Sequence, residues 1–207
     1  HYAVDGSIFR VVPWAVVLPK SKEDIVNLVN WVAKKRKETE DPRFSITCRG
    51  KGTDQAGGPL NTGIILRFPK CLDKILEIGP DFVRVESGIL WSDLNKKLES
   101  EQGRFIPPYP ASADFASLGG GVANNCGGEK TVKYGSIRDY VLSLKVILAD
   151  GEEVEFKKLG EDKVAEKQAR DNLEGEIYRK MSDLLVGSHN LIQNSRLDVT
   201  KSSTGYW

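Results

Sequence analysis

The stretch CRGKGTDQAGG, from Cys48 to Gly58, is rich in glycine and lies between the strand-like runs FSIT and GIILRF. It matches neither G-x-G-x-x-G nor the Walker A loop, because Gln55 and Gly58-Pro59 occupy positions that those motifs exclude. Glycines nevertheless let backbone N–H groups converge on an anion, and Thr53 and Asp54 add polar side chains. A tight connection between two strands explains this loop, taken alone, equally well.

A second stretch, SLGGGVANNCGG from Ser117 to Gly128, changes that balance. It follows the proline-rich PPYPASADFA, and its small residues let a flat ligand lie against the main chain. Asn124 and Asn125 offer amide groups to a ring edge or a phosphate. Two such loops, each attached to predicted strands, can hold one extended ligand from two sides. The pair therefore favours a shared ligand over two unrelated turns.

Residues 1–70 have a β-α-β pattern and are predicted to form a small lobe. FRVVPWAVVLP, RFSITC and GIILRF read as strands, and SKEDIVNLVNWVAKKRK reads as a helix. Ser21 and Asp24 have the spacing of a capping box at the start of that helix.

Residues 71–207 are predicted to form a larger lobe. DKILEI and FVRVESG read as strands, and LWSDLNKKLESEQG reads as a helix with Gly103 as its C-terminal cap. YVLSLKVILADGEEVEF predicts a hairpin that turns at Asp150-Gly151. EKQARDNLEGEIYRKMSDLLVGS reads as mostly helical, and its stripe of Ile177, Met181, Leu184 and Leu185 is expected to pack in the core.

The composition excludes several classes of function. A formal net charge of +1 gives no reason to expect a nucleic-acid partner, and no apolar run is long enough for a transmembrane segment. Three widely spaced cysteines and two histidines form neither a disulfide framework nor a metal site. We expect a cytoplasmic protein, or one peripheral to a membrane. The chain begins with His1, which suggests a trimmed or excised segment.

The order of several motifs resembles the FAD-binding domain of the vanillyl-alcohol-oxidase/PCMH flavoprotein family. These motifs are RGKGTDQAGG, GIILRF, VRVESGILWSDL, PPYPASADFASLGGGVANNCGG and VKYGSIRDYVLSLKVILADGEEV, collinear from about Pro13 to Gly151. The likeness is greatest to the D-lactate dehydrogenase and glycolate oxidase branch. It implies an α+β fold, a PCMH-type domain of two α/β lobes in which the larger has a mostly antiparallel sheet.

The resemblance also implies positions for the cofactor, FAD. The first loop should contact the pyrophosphate through Gly50, Lys51, Gly52, Thr53 and Asp54, with Gly58 closing the loop. The residues expected to line the flavin and ribityl side are Pro110, Ser117, Gly120, Asn124, Gly127, Tyr134 and Gly135.

Some residues depart from the family pattern. Lys51 stands where a small residue is usual, and Asp54 brings a carboxylate near a pyrophosphate, which is unfavourable unless it turns away or accepts backbone N–H groups. The first loop lacks the histidine that carries covalent flavin in some relatives, and Cys126 does not match the cysteine link. We therefore predict non-covalent FAD.

The resemblance implies a flavin-dependent oxidoreductase that oxidises a D-2-hydroxy acid such as lactate or glycolate by hydride transfer to flavin N5. The alternatives are a sugar-acid or aldonolactone oxidase of the same superfamily, and a non-catalytic nucleotide-binding module. The chain stops at STGYW, so a substrate-binding cap domain is expected to be missing and this segment alone to be inactive. We assign no catalytic residue and no metal, and the electron acceptor is unknown.

Overall fold

The structure is a computed structural model that describes residues 1–195, 197 and 199. The chain divides into two compact units, one from His1 to Tyr140 and one that begins at Val141. The sequence-based division into lobes of residues 1–70 and 71–207 places the boundary elsewhere, and that division stays a prediction. The segment Ser203–Trp207, which motivated the expectation of a missing domain, lies outside the described residues.

A three-stranded parallel sheet organises the start of the first unit. Its strands are β1 (Ala15–Val17), β2 (Ile46–Arg49) and β3 (Ile64–Arg67), in the order β1-β3-β2, and helix α1 (Lys22–Glu38) connects β1 to β2. The central strand β3 is almost fully buried, as expected for a parallel strand with an unbroken apolar sequence. The predicted β-α-β arrangement is confirmed, and the first glycine-rich loop starts where β2 ends.

The predicted helix caps form as the sequence indicates. The Ser21 hydroxyl accepts a hydrogen bond from the Asp24 N–H at 3.3 Å, and Asp24 Oδ2 accepts from the Ser21 N–H at 3.2 Å. Helix α2 (Trp91–Gln102) ends at Gly103, whose φ of 64° is left-handed and whose N–H bonds back into the helix.

A small apolar core joins α2 to an antiparallel strand pair. Strands β4 (Ile75–Ile78) and β5 (Val83–Val85) pair with each other, and their apolar side chains pack on a buried cluster. That cluster consists of Ile89, Leu94 and Leu98, with Ile106 and Leu118 against it. The core therefore fixes the turn before α2 and the beginning of the second glycine-rich stretch.

Three short helices complete the first unit. They are α3 (Leu118–Ala123), α4 (Thr131–Tyr134) and a 3-10 helix at Ile137–Tyr140. The second unit holds a hairpin of β6 (Ser143–Ile147) and β7 (Glu153–Lys157), followed by α5 (Glu161–Gln168), α6 (Leu173–Gly187) and α7 (His189–Asn194).

The hairpin confirms its sequence prediction. Val146 faces Val154 and Leu144 faces Phe156 across the ladder, and Gly151 turns the chain with a φ of 84°. The antiparallel strands in the described residues form two separate pairs rather than one sheet. Across the described part of the chain, no helix is long and apolar enough to cross a membrane.

The expectation that the stripe on α6 packs in the core is wrong for three of its four residues, whereas Ile177 is partly buried. Met181, Leu184 and Leu185 are 47%, 57% and 52% exposed. The helix is instead held at its first turn, where the fully buried Glu174 carboxylate binds the Lys167 ammonium and, at 2.6 Å, Arg170 Nη1. Helical periodicity identifies an apolar face, but it does not say whether another element covers that face.

Candidate functional site

The first glycine-rich loop is a turn with free backbone donors. Gly52 and Gly57 have φ angles of 81° and 82°, in the left-handed region that glycine adopts without strain. The N–H groups of Lys51, Gly52 and Thr53 donate no hydrogen bond to any residue that the structure describes. Successive unpaired N–H groups of this kind form an anion-binding concavity.

Asp54 closes this turn with its own carboxylate. Its Oδ2 accepts hydrogen bonds from the N–H of Ala56 at 3.1 Å and from that of Gly58 at 2.8 Å. The carboxylate therefore binds backbone N–H groups on the C-terminal side of the turn. The Gly58 N–H is occupied by this bond and is not available to a ligand. The repulsion expected between this carboxylate and an anion is reduced accordingly.

We predict that Asp54→Ala weakens binding of a diphosphate ligand about 5- to 30-fold, since removing a cap of this kind costs about 1–2 kcal/mol. Asp54→Asn keeps an acceptor oxygen and removes the charge, so it should bind at least as tightly as the unaltered chain. The measurement is a binding isotherm for FAD with each variant. Equal binding by the unaltered chain and Asp54→Ala would contradict a role for this cap.

The sequence did not predict the contact between the N-terminal segment and this loop. The Gly6 N–H donates to the Asp54 carbonyl at 2.9 Å, and a Cβ on Gly57 would lie 3.0 Å from the Phe9 ring. Asp5 Oδ1 accepts from the Ser7 N–H at 2.9 Å and holds the turn that brings Gly6 to the loop. The Asp-Gly-Ser tripeptide was the available signal for this turn.

The second stretch begins with a helix, where the sequence indicated a loop. Ser117 caps α3, and its hydroxyl accepts from the Gly120 N–H at 3.4 Å. The N–H of Gly119 donates to the Ser87 carbonyl at 2.9 Å. These N–H groups are satisfied within the protein, so glycine is needed here for close packing rather than for free donors.

Gly121 shows the packing that requires glycine. A Cβ there would collide with the ring of Trp91 and lie 3.0 Å from Cys126 Sγ. Trp91 is fully buried, and its indole Nε1 has no hydrogen-bond partner among the described residues. Neither Trp91 nor its unpaired donor was foreseen from the sequence.

The two glycine-rich stretches meet at Gly50 and Ser117. A Cβ on Gly50 would collide with the Ser117 hydroxyl and lie 3.4 Å from its Cβ. Ser117 is 4% exposed, so it has little room to move away. The structure thus brings predicted site residues from both stretches into direct contact.

The remaining predicted residues lie around the turn that follows α3. Pro110 lies against Gly128, which was not among the predicted residues: a Cβ on Gly128 would stand 3.5 Å from Pro110 Cα. The Gly128 N–H donates to Thr131 Oγ1 at 2.7 Å. Gly127 packs in the same way on Thr131. The N–H of Ile137 donates to the Cys126 carbonyl at 3.1 Å, which ties this turn to the 3-10 helix.

Tyr134 is the last residue of α4, which lies between that turn and the 3-10 helix. The backbone carbonyl of Tyr134 accepts a hydrogen bond from the Tyr140 hydroxyl at 2.9 Å. Gly135 follows with a φ of 75°. Asn124 is exposed and its amide makes no hydrogen bond with the described residues, whereas Asn125 accepts from the Arg138 N–H at 3.3 Å. Of the two asparagines, Asn124 keeps its amide free for a ligand.

Lys51 lines a cavity between the first loop and the turn before α2. The cavity has a volume of about 460 Å³. Its other walls are Pro69, Lys70, Asp73, Ile75, Gly88, Ile89, Leu90, Asp93 and Lys97. With three lysines and two aspartates, the lining has a formal charge of +1, and Lys51 supplies one of its positive charges.

The sequence of this chain is similar to those of known flavoproteins. A family model described as FAD binding domain matches residues 13–157. The D-2-hydroxyglutarate dehydrogenase of Escherichia coli (strain K12) is 30% identical over 207 residues, which is 99% of this chain and 20% of that enzyme. The glycolate oxidase subunit GlcD of Bacillus subtilis is 34% identical over 148 residues, covering 70% of this chain and 30% of that subunit.

A solved structure of alkyldihydroxyacetonephosphate synthase matches with a TM-score of 0.56 and 25% sequence identity. The match covers 70% of this chain and 28% of that one. The chain thus spans about a fifth to a third of the length of these relatives.

Proposed function

This chain belongs to the family of FAD-binding domains, and on that premise we propose that it is the FAD-binding part of a flavin-dependent oxidoreductase acting on D-2-hydroxy acids. The α+β fold agrees with that family, and the resemblance drawn from the motifs is confirmed. The observation that carries the proposal is the contact between Gly50 and Ser117, which joins the free N–H groups of the first loop to the second stretch.

The residues present fit FAD. Its diphosphate carries the anionic charge that unpaired N–H groups of Lys51, Gly52 and Thr53 would bind, and glycine at 50 and 52 keeps side chains out of the way. The residues proposed for the flavin and ribityl side are Pro110, Ser117, Gly120, Asn124, Gly127, Tyr134 and Gly135. When bound, the flavin supplies hydride acceptance at its N5 atom, and the protein positions it.

The names of the relatives support the substrate class. They include D-2-hydroxyglutarate dehydrogenases, D-lactate dehydrogenases and a glycolate oxidase subunit. Three of the D-2-hydroxyglutarate dehydrogenases match 99% of this chain, while the others match 67–72%. We therefore propose D-2-hydroxyglutarate as the first substrate to test, with D-lactate and glycolate beside it.

We further propose that FAD is bound without a covalent link. The first loop contains Thr53 and no histidine. Burial raises the pKa of the Cys126 thiol to about 12, so the thiol is neutral near pH 7 and is a poor nucleophile. Cys126 also packs against the backbone of Gly121, which is a structural position.

The test is a visible absorption spectrum of the chain after incubation with FAD and removal of free ligand. A retained flavin band that acid denaturation releases into solution is the expected result. A flavin that stays with the precipitated protein would contradict the non-covalent proposal. A chain that retains no flavin at any concentration would contradict FAD binding itself.

A further inference from the structure

Three segments of the first unit bring aromatic side chains together at its surface. Trp14 precedes β1, Trp31 lies on α1, and Phe44 lies in the connection between α1 and β2. The Phe44 ring packs edge-on against both indoles, with ring centres 5.6 Å from Trp14 and 5.3 Å from Trp31. The two indoles are nonetheless 46% and 40% exposed. These three residues therefore form one continuous exposed cluster, the aromatic patch.

Two arginines are held against this aromatic patch. The guanidinium carbon of Arg43 lies 5.4 Å from the centre of the Trp14 ring, the geometry of a cation–π contact. Arg36 Nη1 donates to the Phe44 carbonyl at 3.4 Å. Both arginines are exposed, so their charges lie beside the indoles and remain in contact with solvent.

The surroundings of the aromatic patch are more positive than the chain as a whole. Lys34 lies three residues after Trp31 and therefore on the same face of α1. Residues 31–44 contain five cations and three carboxylates, a net charge of +2, whereas the whole chain has a net charge of +1. The positive charge is thus concentrated next to the exposed tryptophans.

Two of these three carboxylates form surface ion pairs. Glu38 pairs with Lys35 at 2.8 Å, and Asp41 pairs with Arg43 at 2.6 Å. Exposed pairs of this kind are weak, so their cations can still approach another anion. Lys37 is exposed and forms no ion pair with any residue that the structure describes.

Tryptophan and basic side chains together match the chemistry of an anionic bilayer surface. An indole has an apolar body and one polar N–H group, and tryptophan is enriched where hydrocarbon meets water. Lysine and arginine are attracted to the phosphate and carboxylate groups of anionic lipids. One surface with exposed indoles at its centre and cations around them can make both contacts at once.

We propose that the aromatic patch and its cations bind reversibly to bilayers that contain anionic lipids. The indoles of Trp14 and Trp31 enter the headgroup region, and the basic side chains contact the lipid headgroups. None of these residues belongs to the proposed FAD site, so this proposal holds or fails independently of flavin binding.

The first experiment measures cosedimentation of the full 207-residue chain with phosphatidylcholine vesicles, with and without phosphatidylserine. The chain should bind only vesicles that contain phosphatidylserine, and high salt should release it because salt screens exposed charges. Replacing Lys34 and Lys37 together by glutamine should weaken binding about 10- to 30-fold, about three- to fivefold for each lost charge.

The matched control replaces Lys96 and Lys158 together by glutamine. Both lysines are exposed; one lies on α2 and the other directly follows β7. This control removes two positive charges, as the Lys34/Lys37 variant does, and should bind vesicles as the unaltered chain does. An equal loss of binding in both variants would show that net charge, rather than this surface, determines binding, and would overturn the proposal.

A fluorescence experiment tests whether the indoles enter the bilayer. Acyl chains that carry bromine quench tryptophan only at close range, and Trp91 is fully buried. Trp207, outside the described residues, is replaced by phenylalanine in every protein compared. Vesicles of brominated phosphatidylcholine and phosphatidylserine should then quench the emission, and further replacement of Trp14 and Trp31 by phenylalanine should abolish the quenching.

Other results would also overturn the proposal. Among them are no binding to phosphatidylserine vesicles, and quenching that persists without the two indoles. A concentration-dependent dimer in the absence of lipid, lost when Trp14 and Trp31 are replaced, would assign this surface to a second copy of the chain. If the Lys34/Lys37 variant does not fold, as judged by circular dichroism, the quenching experiment decides.

Discussion

Replacing Gly50 by valine is expected to weaken FAD binding at least about 100-fold, equivalent to about 3 kcal/mol. The new Cβ would collide with the buried Ser117 hydroxyl, which caps α3, so either the first loop or α3 must shift. Both elements line the proposed cofactor site, and either displacement separates the free N–H groups from the second stretch. The measurement is a titration of the variant with FAD, followed by flavin fluorescence.

The matched control is Gly160→Val, because no atom lies within 4 Å of a Cβ built on Gly160. Its backbone is extended, with a φ of −77°, which valine adopts readily. This control should bind FAD as the unaltered chain does. If Gly50→Val binds FAD equally well, the contact between the two stretches has no part in the cofactor site.

Replacing Leu94 by alanine is expected to lower the free energy of unfolding by about 2–5 kcal/mol, the range for a large-to-small change in a packed core. Leu94 is fully buried at the centre of the cluster that joins α2 to β4 and β5. Leu118, the first residue of α3, packs on the same cluster. Urea denaturation followed by circular dichroism gives the change directly.

Leu76→Ala is the control for this effect. Leu76 lies on β4, in the same strand pair, but is 56% exposed. Its substitution should change the free energy of unfolding by less than about 0.5 kcal/mol. Equal effects of the two substitutions would mean that α2 is not held by this core.

Local patterns were sufficient where each element is determined by its own residues. The capping pair of Ser21 and Asp24, the left-handed Gly103 and the turn at Gly151 all form as predicted. The two glycine-rich stretches were also recognised from the sequence. Their small residues are visible there whether they are needed for a turn, as at Gly52, or for close packing, as at Gly121.

Features that depend on distant parts of the chain were not predictable in this way. The stretch expected to be a loop contains helix α3, in which Gly121 packs on Trp91, a residue far away in the sequence. The hydrogen bond from Gly6 to Asp54 likewise joins residues that are distant in the sequence. Arg49 reads as a polar strand end, and only the structure shows that it is buried with its Nη1 unpaired among the described residues. The predicted burial of the stripe on α6 fails for the same reason, because the exposure of a helix face depends on which elements pack against it.

The most direct test of the central claim, that both glycine-rich stretches bind one FAD, is hydrogen–deuterium exchange of the chain with and without FAD. Unpaired amides at Lys51, Gly52 and Thr53 should exchange rapidly in the free chain and slowly in the complex. Peptides covering residues 48–58 and 117–128 should both become protected, with the hairpin of β6 and β7 as an internal reference. Protection of only one peptide, or of neither, would contradict a shared cofactor site.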